Sequence, residues 1–258
     1  MKALVDLDGV LVKDKEFNLF EDSKAFLSFL KAKDFMILSN NSTRPPEELV
    51  QILNEKGLDI SLSEILTPLK IIPEYLKEHG IKSSFVIGTE HLKTYLSKYV
   101  DVKDDIKVDS VIVAQDKYLN FDKLKKAISA VFLNKAKIIP INHSKIVKDS
   151  DGLYFQGSGS LAFMIKNATD YKEDLPNLGK PSELFFSKAL NKDEYQESVI
   201  ISDDFHIDLM GAKALGIKTI FITTGKYKKE DLEKTDFKPD FIVDSLRQAE
   251  GVLLDLGI

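Results

Sequence analysis

Apolar residues in this chain gather in short runs that stop abruptly at polar groups, and between the runs they recur at helical spacing. Ala3-Leu4-Val5 stops at Asp6, and Ala25, Phe26, Phe29 and Leu30 then recur at the spacing of one helix face. Phe35 to Leu38 is the next run and stops at Ser39-Asn40-Asn41. Pro45 and Pro46 suit a helical first turn, Leu49, Val50, Ile52 and Leu53 form its face, and Gly57 suits its end. Near the other end of the chain, residues 199–201 run into Ser202-Asp203-Asp204. A helix bearing Leu209, Met210 and Ala212 then stops at Gly216, and residues 218–223 and 241–243 are further buried strands. Strand and helix alternating in this way predict an α/β fold with a doubly wound parallel sheet. Three of the runs place polar groups just past a strand's C-terminal end, where open parallel sheets bind ligands.

The middle of the chain differs. Strands are expected around 85–87, 111–113 and 138–141, and helical faces near 91–98 and 121–133, but none carries an acidic strand end. This stretch reads as an inserted domain over 81–171, with the core formed by 1–80 and 172–258.

Composition narrows the function. The 258 residues are enough for a sizeable core, and no apolar run approaches the ~18 residues of a membrane span. Asp6 and Asp8 interrupt the first apolar run too early for a signal-peptide core. A formal charge of −5 argues against nucleic acid as a partner, and the absence of cysteine excludes disulfides, thiolate metal sites and cysteine catalysis. The four histidines are scattered, with no pair spaced to bind zinc. A cytoplasmic globular enzyme, with neither membrane nor nucleic acid as partner, is the expectation.

The strongest local signal is Asp6-Leu7-Asp8-Gly9-Val10. Residues two apart in extended chain face the same way, so both carboxylates converge, and Gly9 allows a sharp turn. Two such carboxylates repel unless a cation lies between them, and an oxygen-only ligand set points to Mg²⁺. A solvated strand-end turn explains the same residues about equally well. Ser39 and Asn40, at a second strand end before a helix, offer hydroxyl, amide and N–H groups to a phosphate, or simply cap the helix. Lys180, within Gly179-Lys180-Pro181 and ahead of a helix with face Leu184, Phe185 and Leu190, is a phosphate clamp or one more surface lysine. Asp203 and Asp208 complete a metal site or serve turns.

Taken together, DLDGV (6–10), ILSNNST (37–43), GKP (179–181) and IISDDFHIDLMGAKALG (200–216) resemble the four ordered motifs of haloacid dehalogenase (HAD) superfamily phosphatases. SNNSTR and the long gap before GKP resemble the NagD-type branch, which includes p-nitrophenyl, phosphoglycolate and pyridoxal phosphatases. The resemblance covers nearly the whole chain. It implies a Rossmann-like core with an inserted C2-type α/β cap, and Asn142 with Gly157-Ser158-Gly159 resembles the cap's substrate loop and glycine turn. It further implies that Asp6 is the nucleophile of an aspartyl-phosphate route, that Asp8 is the acid and then the base, and that Ser39 with the Asn40 backbone binds the phosphoryl group. Lys180 then offsets charge and holds Asp6. Mg²⁺ is held by Asp6, the Asp8 carbonyl and Asp203, with Asp208 a further candidate. Asn41, Arg44, Asn142 and His143 join the substrate-binding candidates.

Three departures stand out. Ser202 replaces the glycine before the fourth-motif aspartate, Ile207-Asp208 lacks the family's threonine, and Asn142-His143-Ser144 lacks the cap aspartate of Asn-x-Asp. His143 is a candidate reader of an anionic substrate or an exposed turn residue. The reading is a Mg²⁺-dependent phosphatase of small phosphorylated metabolites, compatible with a homodimer by analogy. The rivals are a phosphomutase or phosphotransferase on the same fold and a non-catalytic binder of phosphorylated ligands. A phosphoacceptor receiver domain fits less well, because its aspartate is not on the first strand.

Overall fold

The computed structural model describes residues 1–149 and 151–258. Its strands, in chain order, are β1 (Lys2–Asp6), β2 (Phe35–Leu38), β3 (Ile65–Leu66), β4 (Ser83–Ile87), β5 (Asp101–Val102) and β6 (Ser110–Val113). They continue with β7 (Lys137–Pro140), β8 (Ile146–Lys148), β9 (Tyr154–Gln156), β10 (Ser198–Ser202), β11 (Lys218–Ile222) and β12 (Phe241–Val243). The chain divides into two compact units. One comprises Met1–Ser39, Pro46–Leu66 and Lys180–Ile258, and the other Asn40–Pro45 and Thr67–Gly179.

The first unit holds a six-stranded sheet in the order β12-β11-β10-β1-β2-β3, parallel throughout. The central strands are apolar on both faces because helices cover both sides of such a sheet. On one face Ala3, Val5, Ile37, Ile201 and Ile220 share a core with Phe26 and Leu30, Leu49 and Leu53, and Ala249 and Leu253. Those last three pairs come from the helices Ser23–Leu30, Pro46–Glu55 and Leu246–Asp255. The strand order reverses at β1, which pairs with β2 on one side and β10 on the other. The register sets Val5 beside Ile201 and Asp6 beside Leu38, so Asp6, Ser39 and Ser202 reach the carboxyl edge together. Such a reversal leaves a crevice at that edge.

The second unit is a four-stranded parallel sheet, β5-β4-β6-β7, with the antiparallel pair β8-β9. Phe85, Val111 and Ile138 pack there with Ala130 of Phe121–Asn134 and with Leu161 and Ile165 of Ser158–Thr169. Helix Pro68–Glu78 belongs to this unit, where the Tyr95 hydroxyl donates to the Leu69 carbonyl at 2.7 Å. The inserted unit therefore spans 67–179 by contacts, against the 81–171 read from the sequence.

Two local expectations change. The helix after Lys180 is a single turn, Glu183–Phe186, that buries Phe185 and Phe186 while Leu184 stays 38% exposed. The helix after Asp203 begins as a π-helical turn, Phe205–Leu209, and continues as Met210–Ala214 before Gly216 ends it.

Candidate active site

Each polar group expected at the carboxyl edge of the large sheet is carried there by strand geometry. Asp6 is the last residue of β1, and the chain then turns tightly, with the Gly9 N–H donating to the Val12 carbonyl at 2.8 Å. Ser39 follows β2 and is fully buried, its N–H donating to the Leu66 carbonyl at 3.0 Å. Ser202 closes β10 and Asp203 follows it. Asp208 lies on the π-helical turn, which Asp204 caps by accepting the Ile207 N–H at 2.9 Å.

Lys180 organises the centre. Its side chain is 3% exposed, and Nζ donates to Asp6 Oδ1 and to Asp208 Oδ2, each at 2.7 Å. Asp6 Oδ1 also accepts the Leu7 N–H at 2.7 Å. The Ser202 hydroxyl lies between two carboxylate oxygens, 2.6 Å from Asp208 Oδ2 and 3.1 Å from Asp6 Oδ2, and can donate to either. Asp8 points to a wetter edge, where Lys15 Nζ donates to Oδ1 at 2.9 Å and the Ser39 hydroxyl to Oδ2 at 3.3 Å. Asp203 Oδ2 accepts the Lys226 N–H, and the Thr224 hydroxyl ties this loop to the Gly9 carbonyl at 2.7 Å. Glycine is required at two places here: a Cβ on Gly9 would lie 2.2 Å, and one on Gly225 1.9 Å, from Asp203 Oδ2.

The electrostatics divide the aspartates. Burial pushes the Asp6 carboxyl well up; Lys180 pulls it back, and Asp208, Asp203 and Asp8 push it further up. Burial likewise drives Asp203 up to about 7, against the Lys226 N–H and with help from Asp204 and Asp208. Asp8 goes the other way: burial opposes its ionisation, but the charge and hydrogen bond of Lys15, with Lys180 and Ser39, outweigh burial and hold it low. Lys180 is raised, since Asp208 and Asp6 overcome the burial that disfavours its charge.

These carboxylates outnumber the cations facing them, which suits an added cation. Among the described residues no three acidic or histidine side chains form a ready ligand shell. Magnesium does not need one, because it takes one or two carboxylates and keeps several waters. Asp6 and Asp203, close enough for the charge of Asp203 to push the Asp6 carboxyl up, are the two carboxylates that would hold it. Asp208 is committed through Oδ2 to Lys180 and Ser202, so it anchors the lysine; its Oδ1 is buried and has no hydrogen-bond partner.

Asp6, Asp8, Ser39, Lys180, Asp203 and Asp208 are thus brought together in the first unit. Asn40, Asn41, Arg44, Asn142 and His143 fall in the second. Asn41 Oδ1 accepts the N–H groups of Thr43 and Arg44, at 3.1 and 3.0 Å. Asn142 donates to the Asn40 carbonyl at 2.7 Å and accepts from Ser144 N–H and the Ser158 hydroxyl. A His143 ring nitrogen pairs with the Pro176 carbonyl at 3.0 Å and the ring packs edge-on against Phe163. Burial lowers its pKa, and the carbonyls of Pro176 and Leu175 only partly oppose this. The ring is thus engaged within its own unit. Lys15 is the residue that sequence reasoning missed. Its side chain is 47% exposed, and its only sequence signal is closeness to the first motif.

The chain is similar to known proteins along nearly its whole length. A model of haloacid dehalogenase-like hydrolases matches residues 3–100, and a HAD-hydrolase-like model matches 177–249. An acid sugar phosphatase of Staphylococcus epidermidis is 28% identical over 252 residues, covering 95% of each chain. The 4-nitrophenylphosphatase of Thermotoga maritima is 30% identical with a TM-score of 0.84, covering 97% of this chain and 96% of its own. A p-nitrophenyl phosphatase from Archaeoglobus fulgidus is 25% identical with a TM-score of 0.84, covering 97% and 98%.

Proposed function

Since this chain belongs to the haloacid dehalogenase-like hydrolases, among their phosphatases, we propose that it is a Mg²⁺-dependent hydrolase of small phosphomonoesters acting through an aspartyl-phosphate on Asp6. The observation that carries this reading is the buried Lys180 ammonium, 2.7 Å from Asp6 Oδ1, with Asp8 two residues on and bonded to Ser39. Sugar phosphates and p-nitrophenyl phosphate, named for the relatives, are the first substrates to try.

A carboxylate oxygen of Asp6 attacks phosphorus, and the bond from phosphorus to the ester oxygen breaks. Protonated Asp8 gives its proton to the departing oxygen. Asp8, now ionised, takes a proton from the water that attacks phosphorus; the bond to Asp6 breaks and phosphate leaves. The Ser39 hydroxyl donates to phosphoryl oxygens, and Lys180 offsets the charge that the transferring group brings. Magnesium, when bound by Asp6 and Asp203, supplies further positive charge at that group.

The test is phosphate release from a panel of small phosphomonoesters with Mg²⁺ and with excess EDTA. Activity only with Mg²⁺ is expected; full activity in EDTA removes the metal from the mechanism. A thermal readout is independent of turnover. Asp203, raised to about 7 against an ordinary 3.8, keeps in the folded metal-free protein a proton that the unfolded chain has lost. Metal-free stability should therefore fall as pH rises between those values. Mg²⁺ takes the place of that proton, so its stabilising increment in melting temperature should be larger at pH 8 than at pH 5. Equal increments at both would show that Asp203 is not a ligand.

Lys15 gives a second expectation. It holds the Asp8 carboxyl low, which limits the acid form at higher pH. Lys15→Met should raise that pKa, so the alkaline fall of kcat/KM on a poor leaving group moves to higher pH. An unmoved profile would mean that the ion pair does not act on the proton donor.

A further inference from the structure

We propose that Ser202 is a positioning residue for the nucleophile, a role that rests on the phosphatase reading above. The residue stands where the resemblance expects glycine, and it is fully buried at the end of β10, beside β1. Its hydroxyl closes a ring of polar contacts. Asp6 Oδ1 is held by Lys180 at 2.7 Å, Lys180 by Asp208 Oδ2 at 2.7 Å, Asp208 Oδ2 by Ser202 at 2.6 Å, and Ser202 lies 3.1 Å from Asp6 Oδ2. The oxygen of Ser202 is itself fixed, accepting the Asp204 N–H at 3.1 Å.

The consequence is a two-point hold on one carboxylate. Lys180 and the Leu7 N–H grip Oδ1, and Ser202 is the side chain bonded to Oδ2. With both oxygens held, the carboxylate plane cannot turn about its Cβ–Cγ bond without losing a contact. A terminal torsion of this kind is otherwise broad and soft. The hydroxyl has one proton and two carboxylate neighbours. When Asp6 becomes an acyl phosphate and a weaker acceptor, the proton can serve Asp208; when the carboxylate is regenerated, it can return. A glycine at this position leaves Oδ2 without that contact, so this chain fixes its nucleophile by a means its motif does not require.

Ser202→Ala removes the hydroxyl and little volume. Compared with wild type on p-nitrophenyl phosphate at saturating Mg²⁺, kcat should fall about tenfold, the worth of one hydrogen bond to a charged group. KM should stay within about twofold, because substrate is held by other residues. Ser202→Gly should match the alanine variant, and Ser202→Thr, which keeps the hydroxyl, should recover most of the lost kcat. Melting temperatures of the three report any merely structural effect. A kcat unchanged in both the alanine and glycine variants overturns the proposal. So does a loss that follows melting temperature across all three instead of the presence of the hydroxyl. If wild type releases no phosphate from any ester, the phosphatase reading fails and this inference falls with it; if wild type is active and the variants equal it, only this inference fails.

Discussion

Asp6→Asn should abolish turnover while the protein stays folded. The amide is nearly the same shape as the carboxylate but a far weaker nucleophile, so the aspartyl-phosphate cannot form on it. Loss of an attacking residue costs on the order of 10⁴–10⁶ in kcat. Stability should survive, for a reason visible in the site. Asp6 is buried beside Asp208 and Asp203, and burial already pushes its carboxyl well up. A neutral amide removes one of several crowded negative charges, and its carbonyl oxygen can still accept from Lys180. Metal-free melting temperature is therefore expected to equal or exceed wild type, and the increment from Mg²⁺ to shrink. The measurement is kcat on p-nitrophenyl phosphate beside paired melting curves. Near-normal turnover with a matched melting curve would remove Asp6 from the nucleophile's role.

The same site shows what a sequence conveys and what it withholds. Asp6, Ser39 and Asp203 are legible because each interrupts an apolar run, and a parallel strand that ends in a polar residue delivers it to the carboxyl edge. Their assembly follows from the strand order, since β1 lies between β2 and β10. Lys180 has no such local mark and stands out only through its motif. Lys15 has only its closeness to the first motif, being one of many lysines, and its 2.9 Å contact with Asp8 depends on how the loop after β1 folds back. Ser202 is visible only as a departure; its meaning lies in a hydroxyl set between Asp6 on the neighbouring strand and Asp208 on the turn that follows. Asn142 is a substrate-binding candidate only through its resemblance to the cap's substrate loop. Its amide bonds Asn40, Ser144 and Ser158, contacts that no sequence pattern announces. Helix Pro68–Glu78 escaped notice because Pro73 sits inside it, where proline normally opposes a helix. Missing that helix also drew the edge of the inserted unit too late.

Lys180→Met should damage both rate and stability, and the two losses can be separated. The ammonium is 3% exposed and is bonded to Asp6 and Asp208, the latter 1% exposed. Removing one partner of a buried ion pair leaves an uncompensated charge, at a cost of about 3–5 kcal/mol. Here two carboxylates are left facing one another, so at least one should take up a proton. The variant should consequently be less destabilised at pH 5 than at pH 8, the sign expected when the folded state binds the extra proton. Turnover should fall by roughly 10²–10³ or more, as for loss of a donor aimed at developing charge. Asp208→Asn distinguishes the two roles. In that background the lysine has one fewer carboxylate to balance, so Lys180→Met should cost less stability than it does in wild type. Turnover should not recover, because Asp6 and the transferring phosphoryl group still lack their cation. The double-mutant cycle is read twice, by chemical denaturation and by kcat. Rescue of stability without rescue of rate assigns Lys180 to both the fold and the chemistry. Recovery of rate in the double variant would show instead that the lysine only offsets Asp208 and takes no part in phosphoryl transfer.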